Sequence, residues 1–215
     1  MRIVLFGNGD LQDAVYERGL IRESDQIYCA NGGTRHAFAL GLVPDLVIGD
    51  TDSLPENPRR WLLENEVPVQ SHPPQKDQTD LELAVHVAIA RGARALLLLG
   101  GAGGRIDHTF GNLSLLVAAR RANVRAELVT GREHCIFIED EAIVLEGEPR
   151  QTLSLLPWGR DARGVSAEGV FWPLHDETLV FGENRGISNL FMDRRVRISV
   201  RDGALLIVHH RGPVR

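Results

Sequence analysis

The chain changes rhythm near residue 130, and that change constrains its fold more than any other feature. Before it, short apolar runs alternate with longer stretches of helical period, the pattern of strands joined by crossover helices in a parallel sheet. Strands are predicted over 3–6, 27–30, 46–48, 67–70, 95–99 and 126–129, and helices over 11–18, 34–40, 58–65, 79–91 and 108–121. After it, the apolar runs at 135–138, 143–145, 152–155, 170–172, 179–181, 196–200 and 205–208 are brief and separated by turn residues, which reads as all-β. The expected architecture is an α/β domain over 1–131, a parallel sheet in a Rossmann-like three-layer arrangement, followed by a small all-β domain over 132–215, a sandwich or barrel.

Local signals sharpen this outline. Thr79 precedes an apolar segment and Glu82 follows it by three, a capping box in which each side chain serves a free backbone donor of the other residue. Asp202-Gly203, between apolar runs, predicts a two-residue hairpin turn joining 196–201 to 204–208. The net charge of -5 gives no general polyanion-binding surface, so nucleic acid is not an expected partner. No apolar run approaches the roughly 20 residues that span a bilayer, and neither a membrane nor export is expected; the protein reads as cytoplasmic. Cys29 and Cys135 stand alone in strand-like runs and read as buried thiols without function.

Three polar clusters fall at predicted strand ends, where ligands bind in open parallel sheets. Gly49-Asp50-Thr51-Asp52-Ser53 sets two acids one residue apart, suited to Mg²⁺, which takes hard oxygen ligands and keeps waters or phosphates in its other positions. Lys76-Asp77-Gln78-Thr79-Asp80 puts a cation beside two carboxylates just before a helix, the components of an ATP–Mg²⁺ site. Gly100-Gly101-Ala102-Gly103-Gly104-Arg105-Ile106-Asp107-His108 follows the most apolar strand and opens a helix, so backbone N–H groups can approach a phosphate. Arg105 can clamp that phosphate, with Asp107 holding either the arginine or a metal. Each cluster also has a plain reading, as a polar turn or as acids favoured by a helix N-terminus. Neither standard glycine-rich phosphate fingerprint occurs, which argues against an ordinary dinucleotide fold or P-loop kinase.

Taken in order, the clusters resemble the thiamine pyrophosphokinase family, whose members carry Gly-Asp-x-Asp-Ser, then Lys-Asp-x-Thr-Asp, then a glycine-rich Gly-Arg-x-Asp-His stretch. The second half is also similar, through Gly169-Val170-Phe171-Trp172-Pro173-Leu174 and Gly186-Ile187-Ser188-Asn189. The resemblance covers nearly the whole chain. It implies a β-sandwich for the second half and transfer of pyrophosphate from ATP to the hydroxyethyl group of thiamine. Asp50, Asp52 and Asp77 would hold Mg²⁺, while Lys76 and Arg105 neutralise the transferring group. Asn31, Gly32, Thr79, Asp80, Gly103, Asp107 and His108 would line the nucleotide site. Trp172, Ser188 and Asn189 would hold thiamine, with the indole stacked on a ring; a core aromatic is the plain reading of Trp172.

The resemblance further implies a homodimer whose sites combine the nucleotide half of one copy with the β half of the other. One departure is visible: family members usually have Ala-Asp-Gly-Gly where this chain has Ala30-Asn31-Gly32-Gly33, so a charge is lost. Rival readings are the same transfer to another hydroxyalkyl heterocycle such as a pterin, and a non-catalytic sensor of thiamine or nucleotide.

Overall fold

Runs such as Ile3-Val4-Leu5-Phe6 and Leu96-Leu97-Leu98-Leu99 offer nothing polar to solvent on either side of a strand, so they suit only strands covered on both faces. The computed structural model, which describes residues 1–51, 54–71 and 77–212, places them at the centre of a parallel sheet. The chain divides into two compact units, Met1–Gly131 and Arg132–Arg215. In the first, strands β1 (Arg2–Phe6), β2 (Gln26–Ala30), β3 (Leu46–Ile48), β4 (Val69–Gln70), β5 (Ala95–Leu99) and β6 (Arg125–Thr130) lie in the order β6-β5-β1-β2-β3-β4. All of these pairings are parallel.

Alternate side chains serve opposite faces. Val4, Phe6, Cys29, Val47, Leu97 and Leu99 join one core with residues around helices α1 (Ala14–Gly19), α2 (Thr34–Ala39) and α3 (Glu56–Glu64). Helix α4 (Asp80–Ala90) packs on β1, β2 and β3, and α5 (Ile106–Arg121) packs on β6 and on α4. Leu97, Leu98 and Leu99 are at most 1% exposed, and burying each contributes about 2 kcal/mol. The chain steps outward from β1 through β4, then returns to the other side of β1 as β5. The onward connections of β1 and β5 therefore run to opposite sides of the sheet, and ligands bind at the carboxyl end of such a switch point.

The start of α4 keeps half of the expected capping box. Thr79 Oγ1 accepts from the Glu82 N–H at 3.2 Å, whereas the Glu82 carboxylate accepts from Gln78 Nε2 at 3.1 Å, a competing local donor.

In the second unit β7 (Glu133–Glu139), β8 (Ala142–Glu146), β9 (Thr152–Pro157), β10 (Ala162–Glu168), β11 (Leu174–Leu179), β12 (Asn189–Leu190), β13 (Arg195–Ser199) and β14 (Ala204–His210) form two antiparallel layers. One is ordered β12-β9-β14-β7 and the other β11-β10-β13-β8. Ile138, Leu155 and Ile207 from the first layer share one core with Leu145, Val165 and Ile198 from the second.

Three expectations fail here. Asp202-Gly203 does not close a hairpin: β13 pairs with β8 and β10, while β14 pairs with β7 and β9 in the other layer. The connector is held by longer-range partners, with Gly203 N–H donating to Asp140 Oδ1 at 2.8 Å and Arg160 donating to Asp202 Oδ1 at 2.7 Å. The run at 170–172 is only a bridge from Val170 to Phe191, the strand expected over 179–181 instead runs over Leu174–Leu179, and β10 goes unpredicted. Register shifts on either side of Val165, with Gly164 at φ +65°, break the period of two that would mark β10 in sequence.

Candidate active site

Four segments meet at the carboxyl end of the first unit's sheet, and they meet through glycines. Gly7 N–H donates to Leu99 O at 2.8 Å and Gly9 N–H to Gly100 O at 2.7 Å, tying the loop after β1 to the loop after β5. A Cβ on Gly33 would lie 2.0 Å from Phe6 O, and one on Gly9 would lie 2.4 Å from Ala102 O. Gly49, at φ +119°, brings the end of β3 so close that a Cβ there would lie 3.0 Å from both Asp80 Oδ1 and the Asn31 Cβ. No larger residue fits these approaches.

The result is a hollow of about 460 Å³. Of the residues singled out in the sequence, Asn31, Gly32, Thr79, Asp80, Gly103, Arg105 and His108 line it together. Asn8, Gly9, Asp10, Arg35 and Asn112 line it as well. Asn31 sits in the left-handed region at φ 40°, which Asn and Asp tolerate better than other residues, so the backbone itself accepts either the amide or the acid here. Asn112 Nδ2 donates to Gly101 O at 2.7 Å and fixes α5 against the glycine loop.

Gly103 and Gly104 are at φ +94° and +70° and swing the chain into α5, whose N-cap residue Arg105 makes no side-chain cap. The opening N–H groups of this helix and the Arg105 guanidinium give the hollow an anion-attracting end. Arg105 Nε donates to Asp107 Oδ1 at 3.1 Å and Nη2 to Asp107 Oδ2. This two-pronged bond raises the Arg105 pKa and holds the Asp107 carboxyl below the ordinary carboxylate value. Of the two roles open to Asp107, holding the arginine is the one seen. Asp107 lines a neighbouring hollow of about 260 Å³ that shares Thr79, His108 and Asn112 with the first.

The predicted metal set is not assembled by the described residues. Asp50 follows β3 and is half-buried, and Asp77 is exposed, neither within the described lining; Asp52 and Lys76 lie outside the described residues. Among the described residues no group of three His, Cys, Asp or Glu side chains is placed to hold a metal. Among the described residues the carboxylates that line the hollow are Asp10 and Asp80, and one or two carboxylates suffice for Mg²⁺ whose other ligands are phosphates and water. The donor chemistry therefore fits Mg²⁺ delivered with a nucleotide.

Sequence pattern alone does not single out Arg35. Its signal would have been a cation two residues after the Gly32-Gly33 pair that follows a strand, close enough to a phosphate-type loop to matter. Cys29 and Cys135 are buried and in no disulfide, and burial pushes the Cys29 thiol well above its ordinary pKa, away from reactivity. Among the described residues no helix is long and apolar enough to cross a membrane.

The second unit carries a different surface. Trp172 is 56% and Phe171 54% exposed, so Trp172 is no core aromatic. Their rings meet edge to face at 4.7 Å. Asn189, only 7% exposed, accepts from the Trp172 N–H at 3.0 Å and donates to the Trp172 carbonyl at 2.7 Å, so its amide holds the tryptophan backbone from behind. Ser188, exposed and at φ 63°, is anchored through its N–H to Ser154 Oγ at 3.1 Å.

Residues 18–128 match the family described as thiamin pyrophosphokinase, catalytic domain, and residues 133–205 match thiamin pyrophosphokinase, vitamin B1 binding domain. A thiamine pyrophosphokinase of Bacillus subtilis is 28% identical over 177 residues, 82% of this chain and 83% of the relative. Thiamine pyrophosphokinase 1 of Oryza sativa is 26% identical over 204 residues, 80% of this chain and 74% of the relative. The crystal structure of thiamine pyrophosphokinase from Bacillus subtilis superposes with a TM-score of 0.90 at 25% identity, covering 99% of this chain and 100% of the other. Yeast thiamin pyrophosphokinase shares the fold, with a TM-score of 0.77 at 18% identity over 97% of this chain and 85% of the other. Both domain families are matched in order along one chain, one in each compact unit, and the chain belongs to the thiamin pyrophosphokinase family.

Proposed function

We propose that this chain binds Mg²⁺–ATP in the hollow of its first unit and thiamine on the aromatic surface of its second, and transfers pyrophosphate to the thiamine hydroxyethyl group, leaving AMP. The observation that carries the nucleotide half is the start of α5, where Arg105 makes no side-chain cap, opening onto a glycine-rich hollow at the switch point of the sheet. That sheet, with helices on both faces, supports the three-layer, Rossmann-like reading of residues 1–131 as the catalytic domain, with 132–215 as the thiamine-binding sandwich.

In this reading the α5 N–H groups and Arg105 hold the phosphate chain, and Lys76 adds charge as the transferring group departs. Asp80, at the first turn of α4, and Asp10 face the same hollow; with Asp50, Asp52 and Asp77 they are the carboxylates available to Mg²⁺. When bound, that ion neutralises phosphate charge. Trp172, held by Asn189, stacks on a thiamine ring, and Ser188 offers a hydroxyl beside it. A nearby acid accepts the proton of the attacking hydroxyl. Little covalent chemistry is asked of the protein, and alignment with charge stabilisation accounts for the rate. A homodimer in a cytoplasmic setting completes the proposal.

Position-labelled ATP tests it. Label in the γ-phosphate should end in thiamine diphosphate and label in the α-phosphate in AMP. Release of ADP with thiamine monophosphate would mean attack on the γ-phosphorus, an ordinary kinase reaction, and would overturn the proposal.

A further inference from the structure

Arg35 lies on α2 and lines the hollow, with its side chain 45% exposed. A single nitrogen, Nη2, donates to Asn8 O at 3.0 Å, to Gly9 O at 3.0 Å and to Asp10 Oδ1 at 3.2 Å. The adjacent residue grips the same loop, with His36 Nε2 at 2.6 Å from Gly9 O. A carbonyl only accepts, so this nitrogen carries the proton, and the 3.4 Å approach of Arg35 Nε to it is a contact between two donors. Burial lowers the His36 pKa, in keeping with a neutral ring beside the guanidinium.

Two consecutive residues of α2 thus hold the loop that follows β1. The other side of that loop is tied through Gly7 and Gly9 N–H to Leu99 and Gly100. Carbonyl oxygens held by a cation present less negative charge to an approaching phosphate. We propose that Arg35 is a positioning residue of the nucleotide site: by holding the Asn8 and Gly9 carbonyls and the Asp10 carboxylate it fixes the β1 loop for a polyphosphate ligand. The inference rests on the nucleotide reading above and adds to it a residue outside the three sequence clusters.

The single-nitrogen geometry makes it testable. A lysine ammonium also brings several donors to one point, whereas it cannot reproduce a two-pronged guanidinium grip on a phosphate. Binding of Mg²⁺–ATP would be measured by calorimetry without thiamine, and amide exchange of residues 7–10 by mass spectrometry, for wild type, Arg35→Met and Arg35→Lys. Arg35→Met is expected to melt as wild type, exchange these amides faster and bind ATP about tenfold more weakly, the loss typical of a charge-assisted bond. Arg35→Lys should restore both readouts. Unchanged exchange in Arg35→Met, or Arg35→Lys binding as weakly as Arg35→Met, would overturn the inference. Failure of the nucleotide reading itself shows separately, as a wild type that binds no ATP, and takes the inference with it.

Discussion

The two units build their sites from different materials. In the first the loops meet main chain to main chain: Gly7, Gly9, Gly33 and Gly49 sit where a Cβ would strike a neighbouring segment, and polar and charged side chains line the space that remains. In the second the exposed feature is a pair of aromatic rings, supported by one buried amide on a two-residue strand. A backbone cradle suits a ligand known by its charge, because N–H groups and arginines recognise phosphate whatever it is attached to. An aromatic face suits a ligand known by its ring. The first unit should therefore fail on the addition of a methyl group, and the second on the loss of one side chain.

The largest effect is expected where a charge faces the hollow. Asp80→Asn should lower kcat by about a hundredfold or more, the scale of removing one preorganised electrostatic contact, with the melting temperature nearly unchanged because shape is conserved. Asp77→Asn, exposed and outside the described lining, should cost less than Asp80→Asn; steady-state rates for the pair would break the comparison if the order were reversed.

The next effect is on stability. Gly33→Ala places a methyl 2.0 Å from a backbone oxygen that cannot swing aside. It should cost about 3 kcal/mol in urea unfolding and disturb ATP binding with it. A stability equal to wild type would show that the cradle tolerates the atom it is argued to exclude.

In the second unit, Trp172→Ala should raise the thiamine KM about tenfold, the size of a desolvated cation–π contact, while leaving the ATP KM and the melting point alone, since the ring is exposed. Asn189→Ala should raise the same KM and also destabilise the fold by about 1 kcal/mol, because it strands two partly buried backbone groups. Equal effects on the thiamine and ATP requirements would make this surface a structural one.

The smallest effect concerns Glu17, fully buried on α1, whose Oε1 accepts from the Gly131 N–H at 2.9 Å. Burial raises its pKa above the ordinary 4.5, so the folded chain keeps that proton to higher pH than the unfolded chain does. Its contribution to stability is complete below 4.5 and falls as pH rises through the raised value. Glu17→Gln should remove this slope, seen as urea midpoints of the two proteins drawing apart as pH is stepped upward from 4.5; parallel curves would contradict it.

The same contrast governs how much could be read beforehand. Strands such as β1 and β5 were legible because uninterrupted apolar runs have one use in an α/β fold, and the glycines after β5 were legible because glycine marks close approach in any context. The Thr79 cap was half legible, since Gln78 competes for Glu82 through geometry that spacing does not encode. In the second unit the Asp-Gly rule misled, because the partners that hold residues 202 and 203 are Asp140 and Arg160, far away in sequence. β10 was hidden by its own irregular register. Arg35 was hidden because two of its partners are carbonyls, which carry no sequence signature, and the third, Asp10, is 25 residues away. The role of Asn189 was hidden for the same reason.

The most direct test is to incubate the purified protein with Mg²⁺, ATP and thiamine and follow AMP and thiamine diphosphate together. Formation of the two in a one-to-one ratio, with no AMP when thiamine is omitted, is the expected result. Thiamine that binds but stays unchanged, or AMP formed without thiamine diphosphate, would contradict the proposed transfer.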